Sequence, residues 1–326
     1  MSSRIPSRVF ASGICAVLAA LFSNVRGTAA DFSIVQRQTN GDLLLRLPVP
    51  TGQAWRIDAS ANLQQWQALA TIRSAAGAVS HADSGAPYFA QRFYRATQLT
   101  GTNIVTGDHL STNAGDLIIH PVNHASFVMQ WNGLMIYNDP VGGAPPFAEF
   151  ARADVILISH VHSDHFSAAT LDAVRGPSVR IIAPQAVYNS MSTTLKGFTT
   201  VLANGASTTA SGIGIDAVPA YNTNHPQGTG NGYVLNLGGK RIYVSGDTGD
   251  VAETRALANI DVAFVCINVP FTMSVSQASA NVRAFRPRVV YPYHYRNQDG
   301  SLSNLETFRQ QVGRDLGIEV RARTWY

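Results

Sequence analysis

Val155-Ile156-Leu157-Ile158-Ser159-His160-Val161-His162-Ser163-Asp164-His165 joins a four-residue aliphatic run directly to three histidines and an aspartate. The aliphatic run reads as a buried strand, and the polar cluster as its end and the loop that follows. Side chains placed there are held by a rigid scaffold yet stay open to solvent. Imidazole nitrogens and carboxylate oxygens suit zinc, iron or manganese, and the lack of cysteine argues against a closed structural zinc site. With nine histidines in 326 residues, this spacing arises by chance with a probability on the order of a few in ten thousand.

Working outward, the chain from about residue 104 alternates apolar strands with helix-like segments, the texture of an α/β domain. Leu117-Ile118-Ile119, Leu134-Met135-Ile136-Tyr137, Val179-Arg180-Ile181-Ile182 and Arg241-Ile242-Tyr243-Val244 read as further strands. Helices are predicted over 168–175, 253–258, 276–284 and 302–316. Residues 31 to about 100 differ: Phe32-Ser33-Ile34-Val35, Leu43-Leu44-Leu45-Arg46-Leu47, Trp55-Arg56-Ile57-Asp58-Ala59, Trp66-Gln67-Ala68-Leu69-Ala70 and Arg92-Phe93-Tyr94-Arg95-Ala96 are short runs between turn residues. They predict a small all-β sandwich module, with a boundary at Gly101-Thr102-Asn103. No repeat of fixed period or low-complexity tract is present.

The first thirty residues read as a secretory signal: Arg4 and Arg8 precede an apolar stretch over 9–22, and Thr28-Ala29-Ala30 supplies small residues for cleavage before Asp31. The stretch is shorter than the roughly 20 residues that span a bilayer. Export to the periplasm or the outside is the expectation. Three of the 24 Lys and Arg (Arg4, Arg8, Arg26) lie in this leader, so the mature chain is nearly balanced against its 20 Asp and Glu. No basic stripe remains to bind nucleic acid. Cys15 also falls in the leader, which leaves Cys266 alone, behind Val262-Ala263-Phe264-Val265. A buried small hydrophobe is the better reading of it, and a disulfide framework is excluded.

The segment "ISHVHSDHF" resembles the first metal motif of the metallo-β-lactamase superfamily. Within it, "NHASFVMQWNGLMIYNDP", "AYNTNHPQGTGNGYVL", "RIYVSGDTGD" and "YPYHY", in that order, are similar to the branch of ascorbate-6-phosphate lactonase and N-acyl-phosphatidylethanolamine phospholipase D. The resemblance covers about residues 104 to 326 and implies an αββα sandwich. It implies that His160, His162 and His225 bind one divalent ion, that Asp164, His165 and His294 bind a second, and that Asp247 bridges both. Zinc is the leading choice, with manganese or iron as alternatives. Local context agrees: His225 lies in a Gly/Asn/Pro-rich loop, although Asn222 and Asn224 leave its register open. Asp247 follows the strand Ile242-Tyr243-Val244, and His294 ends the run Val289-Val290-Tyr291-Pro292-Tyr293. Residues 31 to 100 loosely resemble fibronectin-like modules, which implies a role as spacer or as a contact to a cell surface or polymer.

Two divalent ions would bring four positive charges, of which Asp164, Asp247 and a bridging hydroxide return three. Such a site favours an anionic substrate or a transition state that gathers negative charge. The expected reaction is attack of that hydroxide on a carbonyl or phosphoryl centre of a small or lipid-like lactone, amide or phosphodiester, with Asp164 orienting it or moving its proton. The resemblance also places His124 and Asp139 near the metals, on strands flanking the turn Trp131-Asn132-Gly133. A satisfied core histidine is an equal reading of His124, and turn capping in Asn138-Asp139-Pro140 is the better reading of Asp139. Tyr293, Tyr295 and Arg296 flank His294 and are candidates to line the substrate pocket; a surface salt bridge serves as well for Arg296. His81, His109 and His120 read as surface or structural residues.

The later motifs weigh against β-lactams as substrates. A different class, a non-catalytic metal-binding surface protein, conflicts with a complete ligand set. An iron-based redox role finds no flavin-binding segment or extra cysteines to support it. Oligomeric state is not legible.

Overall fold

The computed structural model describes residues 31–326, so the predicted signal segment lies outside the described residues. These residues divide into two compact units, 31–104 and 105–326.

The first unit is all β. Its strands are β1 (Ile34–Arg37), β2 (Leu43–Pro48), β3 (Ala54–Ser60), β4 (Gln67–Arg73), β5 (Ala78–Asp83) and β6 (Phe93–Leu99). β2 pairs antiparallel with β1 and β5, and β3 with β4 and β6. Alternation explains the packing: Leu43, Leu45 and Leu47 of β2 point inward while Arg46 and Pro48 point out. Leu45 then meets Ile57, Leu69 and Tyr94 in one cluster, and Leu47 meets Trp55 and Val79 in another.

The second unit carries fourteen of the described strands. β7 (Gly107–Thr112), β8 (Gly115–Asn123), β9 (Ser126–Trp131), β10 (Leu134–Asn138), β11 (Ala153–Leu157), β12 (Arg175–Ala183) and β13 (Thr199–Val201) are neighbours in sequence order in one sheet. β14 (Ser207–Ala210), β15 (Ile213–Ala220), β16 (Gly230–Leu237), β17 (Lys240–Val244), β18 (Val262–Cys266), β19 (Val289–Tyr293) and β20 (Glu319–Val320) form the other. The first contains a hairpin closed at Asn132-Gly133, with φ of 49° and 80°, and Trp131 facing Leu134. Positive φ at both loop residues suits a tight two-residue hairpin, which is why Asn-Gly stands there.

The buried strand β11 shows how the layers stack. Val155 and Leu157 face a cluster shared with Ile215, Leu235 and Phe264 of the second sheet, while Ile156 and Ile158 face Leu171, Val187 and Leu195. The latter come from α1 (Ala168–Val174), α2 (Gln185–Asn189) and α3 (Thr193–Lys196). On the far side, Ala278, Val282, Phe308 and Val312 of α5 (Val275–Phe285) and α6 (Leu305–Val312) cover the second sheet. The result is the predicted αββα sandwich, with sheets dominant and helices few.

Helix lengths differ from expectation for local reasons. The predicted helix over 302–316 is α6 alone: the Asn304 side chain caps its start by accepting from Thr307 N–H, and Gly313 at φ 69° ends it. The one over 253–258 shortens to α4 (Ala252–Arg255). α2 and α3, five and four residues long, are too short to leave a period in the sequence.

Candidate metal centre

β10 and β11 run parallel, as do β17, β18 and β19. Their carboxyl ends open on one edge, where α/β sheets present ligand sites. Asp139 follows β10, His160 stands three residues past β11, Asp247 three past β17, and His294 directly follows β19. β15 points the same way as β17, each antiparallel to β16, and leads into the loop that carries His225.

The imidazoles converge closely. His160 Nε2 lies 3.1 Å from His162 Nδ1, and His225 Nε2 lies 3.2 Å from the same atom. A few ångströms away His165 Nε2 lies 3.0 Å from His294 Nε2, and Asp164 Oδ2 is 3.6 Å and 3.5 Å from these two. Asp247 faces both groups: Oδ1 is 3.4 Å from His165 Nε2 and 3.5 Å from His294 Nε2, whereas Oδ2 is 3.8 Å from His225 Nε2. All seven residues singled out as ligands are thus brought together.

These distances fit a cation. Two nitrogens bound at 2.0–2.1 Å in a tetrahedron are about 3.3 Å apart, close to the spacings seen. Asp247 Oδ1 is buried without a hydrogen-bond partner, an arrangement that is costly unless something positive completes it.

A second layer fixes which nitrogen each ring presents. His165 Nδ1 donates to Asp139 Oδ2 at 2.8 Å, and His225 Nδ1 donates to Asn222 Oδ1 at 3.0 Å. Ser159 N–H and Oγ–H both donate to the Asp139 carboxylate at 2.7 Å, so Ser159 Oγ accepts from His160 Nδ1 at 3.0 Å. Each of the three rings thereby turns Nε2 inward as the nitrogen available to a cation, which on His165 would displace a proton. The open register at His225 is resolved by the same asparagine, which also accepts the His225 backbone N–H at 3.1 Å.

Electrostatics follow from this crowding. Burial, with the charge of His165 beside it, pushes His160 down to about 2. Burial also lowers His225 and His124. Burial alone would raise the carboxyls of Asp164 and Asp247, but hydrogen bonds from His124 and His294 to the first, and the charges of His294 and His165 on the second, hold both well below the usual range. His165 is the reverse case: burial opposes its charge, yet Asp247 and Asp139 outweigh it and raise the group.

Several expectations need correction. Asp139 does not cap a turn; it is wholly buried and holds Ser159 and His165. Tyr293 and Tyr295 do not line a pocket: Tyr293 packs against Phe127, Phe264 and Trp325, and the Tyr295 hydroxyl donates to Arg323 O and accepts from Trp325 N–H. Arg296 is exposed, with its guanidinium 4.0 Å above the Tyr326 ring rather than in a salt bridge. His124 does reach the site, with Nε2 3.0 Å from Asp164 Oδ2. His109 and His120 bond to Asp116 and Thr106 and stand outside the ligand groups, and His81 is buried in the first unit. Cys266 is buried and free, as expected, with its thiol pushed by burial up to about 11.

The sequence reading missed Ser159 and Tyr326. Ser159 was legible as the residue between the strand and the first ligand, whereas nothing local marks Tyr326, whose hydroxyl lies 2.8 Å from His124 Nδ1.

The chain has relatives among known proteins. A family profile described as "Beta-lactamase superfamily domain" matches residues 119–294, more than half of the chain. A UPF0173 metal-dependent hydrolase of Thermococcus kodakarensis is 32% identical over 59% of this chain and 90% of its own length. The chain belongs to the metallo-β-lactamase superfamily, in the UPF0173 metal-dependent hydrolase family. Among solved structures, a candidate metal-dependent hydrolase of Parabacteroides distasonis is 36% identical with a TM-score of 0.60, covering 67% of this hydrolase and 97% of that chain. Igni18, a metallo hydrolase of Ignicoccus hospitalis, is 26% identical with a TM-score of 0.55, covering 64% and 94%. This protein is a metal-dependent hydrolase, and its candidate metal-binding clusters among the described residues are His160 with His162 and His225, His124 with Asp164 and His294, and His160 with His165 and Asp247.

Proposed function

We propose that the centre is dinuclear and hydrolyses a small or lipid-like lactone, amide or phosphodiester. The observation that carries this reading is Asp247, whose two oxygens face two different ligand groups, one to each. His160, His162 and His225 would hold one ion, Asp164, His165 and His294 the other, with zinc best suited to this nitrogen-rich set and manganese or iron as alternatives. Two bound divalent cations supply a water ionised near neutral pH and polarise the electrophilic oxygen.

The protein's own groups do the rest. Asp164 is half-exposed and holds a proton poorly, so it suits orienting the attacking water by accepting its hydrogen bond rather than storing the proton. Asp139, Ser159 and Asn222 keep the imidazoles in place. His162 and Val161 are exposed and leave the edge open to substrate, and Arg296, two residues past His294, would meet an anionic group there.

Elemental analysis paired with hydrolysis of generic lactone, amide, phosphodiester and β-lactam substrates tests the reading. About two metals per chain with turnover of one of the first three classes is expected; a chain that takes up no zinc, manganese or iron defeats it. Export by the leader, with residues 31–104 making a cell-surface or polymer contact, completes the proposal. N-terminal sequencing of the native protein should begin at Asp31, and an intact leader on cytosolic protein would rule export out.

A further inference from the structure

His124 differs from the other site histidines in the polarity of its contacts. His160, His165 and His225 each turn Nδ1 to an acceptor and Nε2 towards the ligand groups. His124 Nε2 instead lies 3.0 Å from Asp164 Oδ2, and Nδ1 lies 2.8 Å from Tyr326 Oη. Tyr326 Oη also accepts the Arg296 backbone N–H at 3.2 Å.

Counting donors places each proton. An ionised carboxylate only accepts, so the contact with Asp164 needs the hydrogen on His124 Nε2. A neutral ring then has a bare Nδ1, which must meet a donor. The Tyr326 hydroxyl has one proton; Arg296 is itself a donor to that oxygen, so the proton is available to His124. The chain runs in a single direction, from Arg296 N–H through Tyr326 and His124 to Asp164.

We propose that His124 is a positioning residue that donates to Asp164 and is locked in its Nε2–H tautomer by Tyr326, rather than a metal ligand. This rests on the dinuclear reading above. The alternative has some geometric appeal, because ligand-competent atoms of His124, Asp164 and His294 lie within 4.8 Å of one another. Yet both ring nitrogens of His124 are already engaged, Nε2 by Asp164 Oδ2 and Nδ1 by Tyr326 Oη, whereas His165 and His294 turn their Nε2 atoms towards each other at 3.0 Å. The backbone supports a fixed role: His124 and His294 both sit at positive φ, 54° and 49°, tied by His294 N–H to His124 O at 3.2 Å, with the rings 3.8 Å apart. Such conformations are strained for residues other than glycine and persist where the surroundings impose them.

The test compares wild type with Tyr326→Phe, His124→Gln and His124→Ala by metal content at saturating zinc, chelator competition, and two-bond ¹H–¹⁵N spectra of metal-free protein. Wild type should hold two metals and show His124 as the Nε2–H tautomer. Tyr326→Phe should keep both metals but mix the tautomers and weaken the Asp164-side metal about 10-fold. His124→Gln, whose amide can donate in place of Nε2, should bind more tightly than His124→Ala, with both retaining two metals. Loss of one metal outright in both His124 variants would make His124 a ligand and overturn the proposal. So would a Tyr326→Phe protein identical to wild type in tautomer and affinity. Wild type without metal would defeat the dinuclear reading and this proposal together, whereas the other two failures strike this proposal alone.

Discussion

Asp139 Oδ2 lies 2.8 Å from His165 Nδ1, and neither side chain has any exposure to solvent. The carboxylate also takes both donors of Ser159, so a single buried group orients two successive parts of the metal motif. Its φ of 40° is the left-handed conformation that Asp tolerates better than most residues.

Asp139→Asn isolates that role. The amide keeps the shape but replaces one acceptor oxygen with a donor, which must confront His165 Nδ1–H or Ser159. Either the ring reverses its tautomer and loses the bare Nε2, or a buried donor goes unmet at about 1–3 kcal/mol. Metal affinity should fall about 10- to 100-fold, read by chelator competition, with a lower melting temperature. Wild-type values for both would show that Asp139 does not orient the ligand.

The metal-free protein should be most stable near neutral pH, because the site histidines pull in opposite directions. His160 is lowered to about 2 and His225 is lowered too, so below the unfolded value of about 6.5 the unfolded chain binds more protons and stability falls as pH falls. His165 is raised, so its contribution is full below about 6.5 and is lost as pH rises through its folded value. Bound metal replaces the proton on His165 and should remove the alkaline decline. Melting temperatures of chelator-treated protein across this range check it; a steady climb from acid through alkaline pH would contradict it.

Gly246→Ala addresses the turn that aims Asp247. Gly246 has a φ of 58°, and a Cβ there would sit 2.7 Å from Asn231 O and 3.1 Å from Ser159 Cβ. Strain and overpacking together should cost about 2–4 kcal/mol and displace Asp247 and Ser159, so thermal stability and metal affinity should drop together. A variant that melts several degrees lower but binds metal as before would separate the turn from the site.

The sequence revealed the centre where ligands sit at the ends of apolar runs, because a strand end is a local pattern. His160, Asp247 and His294 each follow such a run. Asp139 was misread because its partner is 26 residues away and a left-handed φ leaves no mark in composition. Tyr293 and Tyr295 were misread by adjacency to a ligand. Tyr293 ends β19 inside the core and the backbone turns left-handed at His294, with φ of 49°, so neighbours in sequence do not share the ligand's surroundings. Tyr326 was invisible because 202 residues separate it from His124.

Asp247→Ala is the sharpest test of the bridge. The substitution removes the carboxylate whose two oxygens face the two ligand groups, while Gly246 and the Asn222 contact to the Asp247 backbone carbonyl, at 3.2 Å, still hold the turn. Asp247 Oδ1 has no hydrogen-bond partner, and the charges of His294 and His165 favour the ionised carboxylate, so the metal-free variant loses that attraction while the backbone contacts keep the turn in place. The variant should therefore fold, keep the first unit intact, lose at least one metal per chain, and lose hydrolysis by about 100-fold or more. Elemental analysis and turnover measure both; two metals retained with full turnover would mean that Asp247 does not bridge and that the two ligand groups act independently.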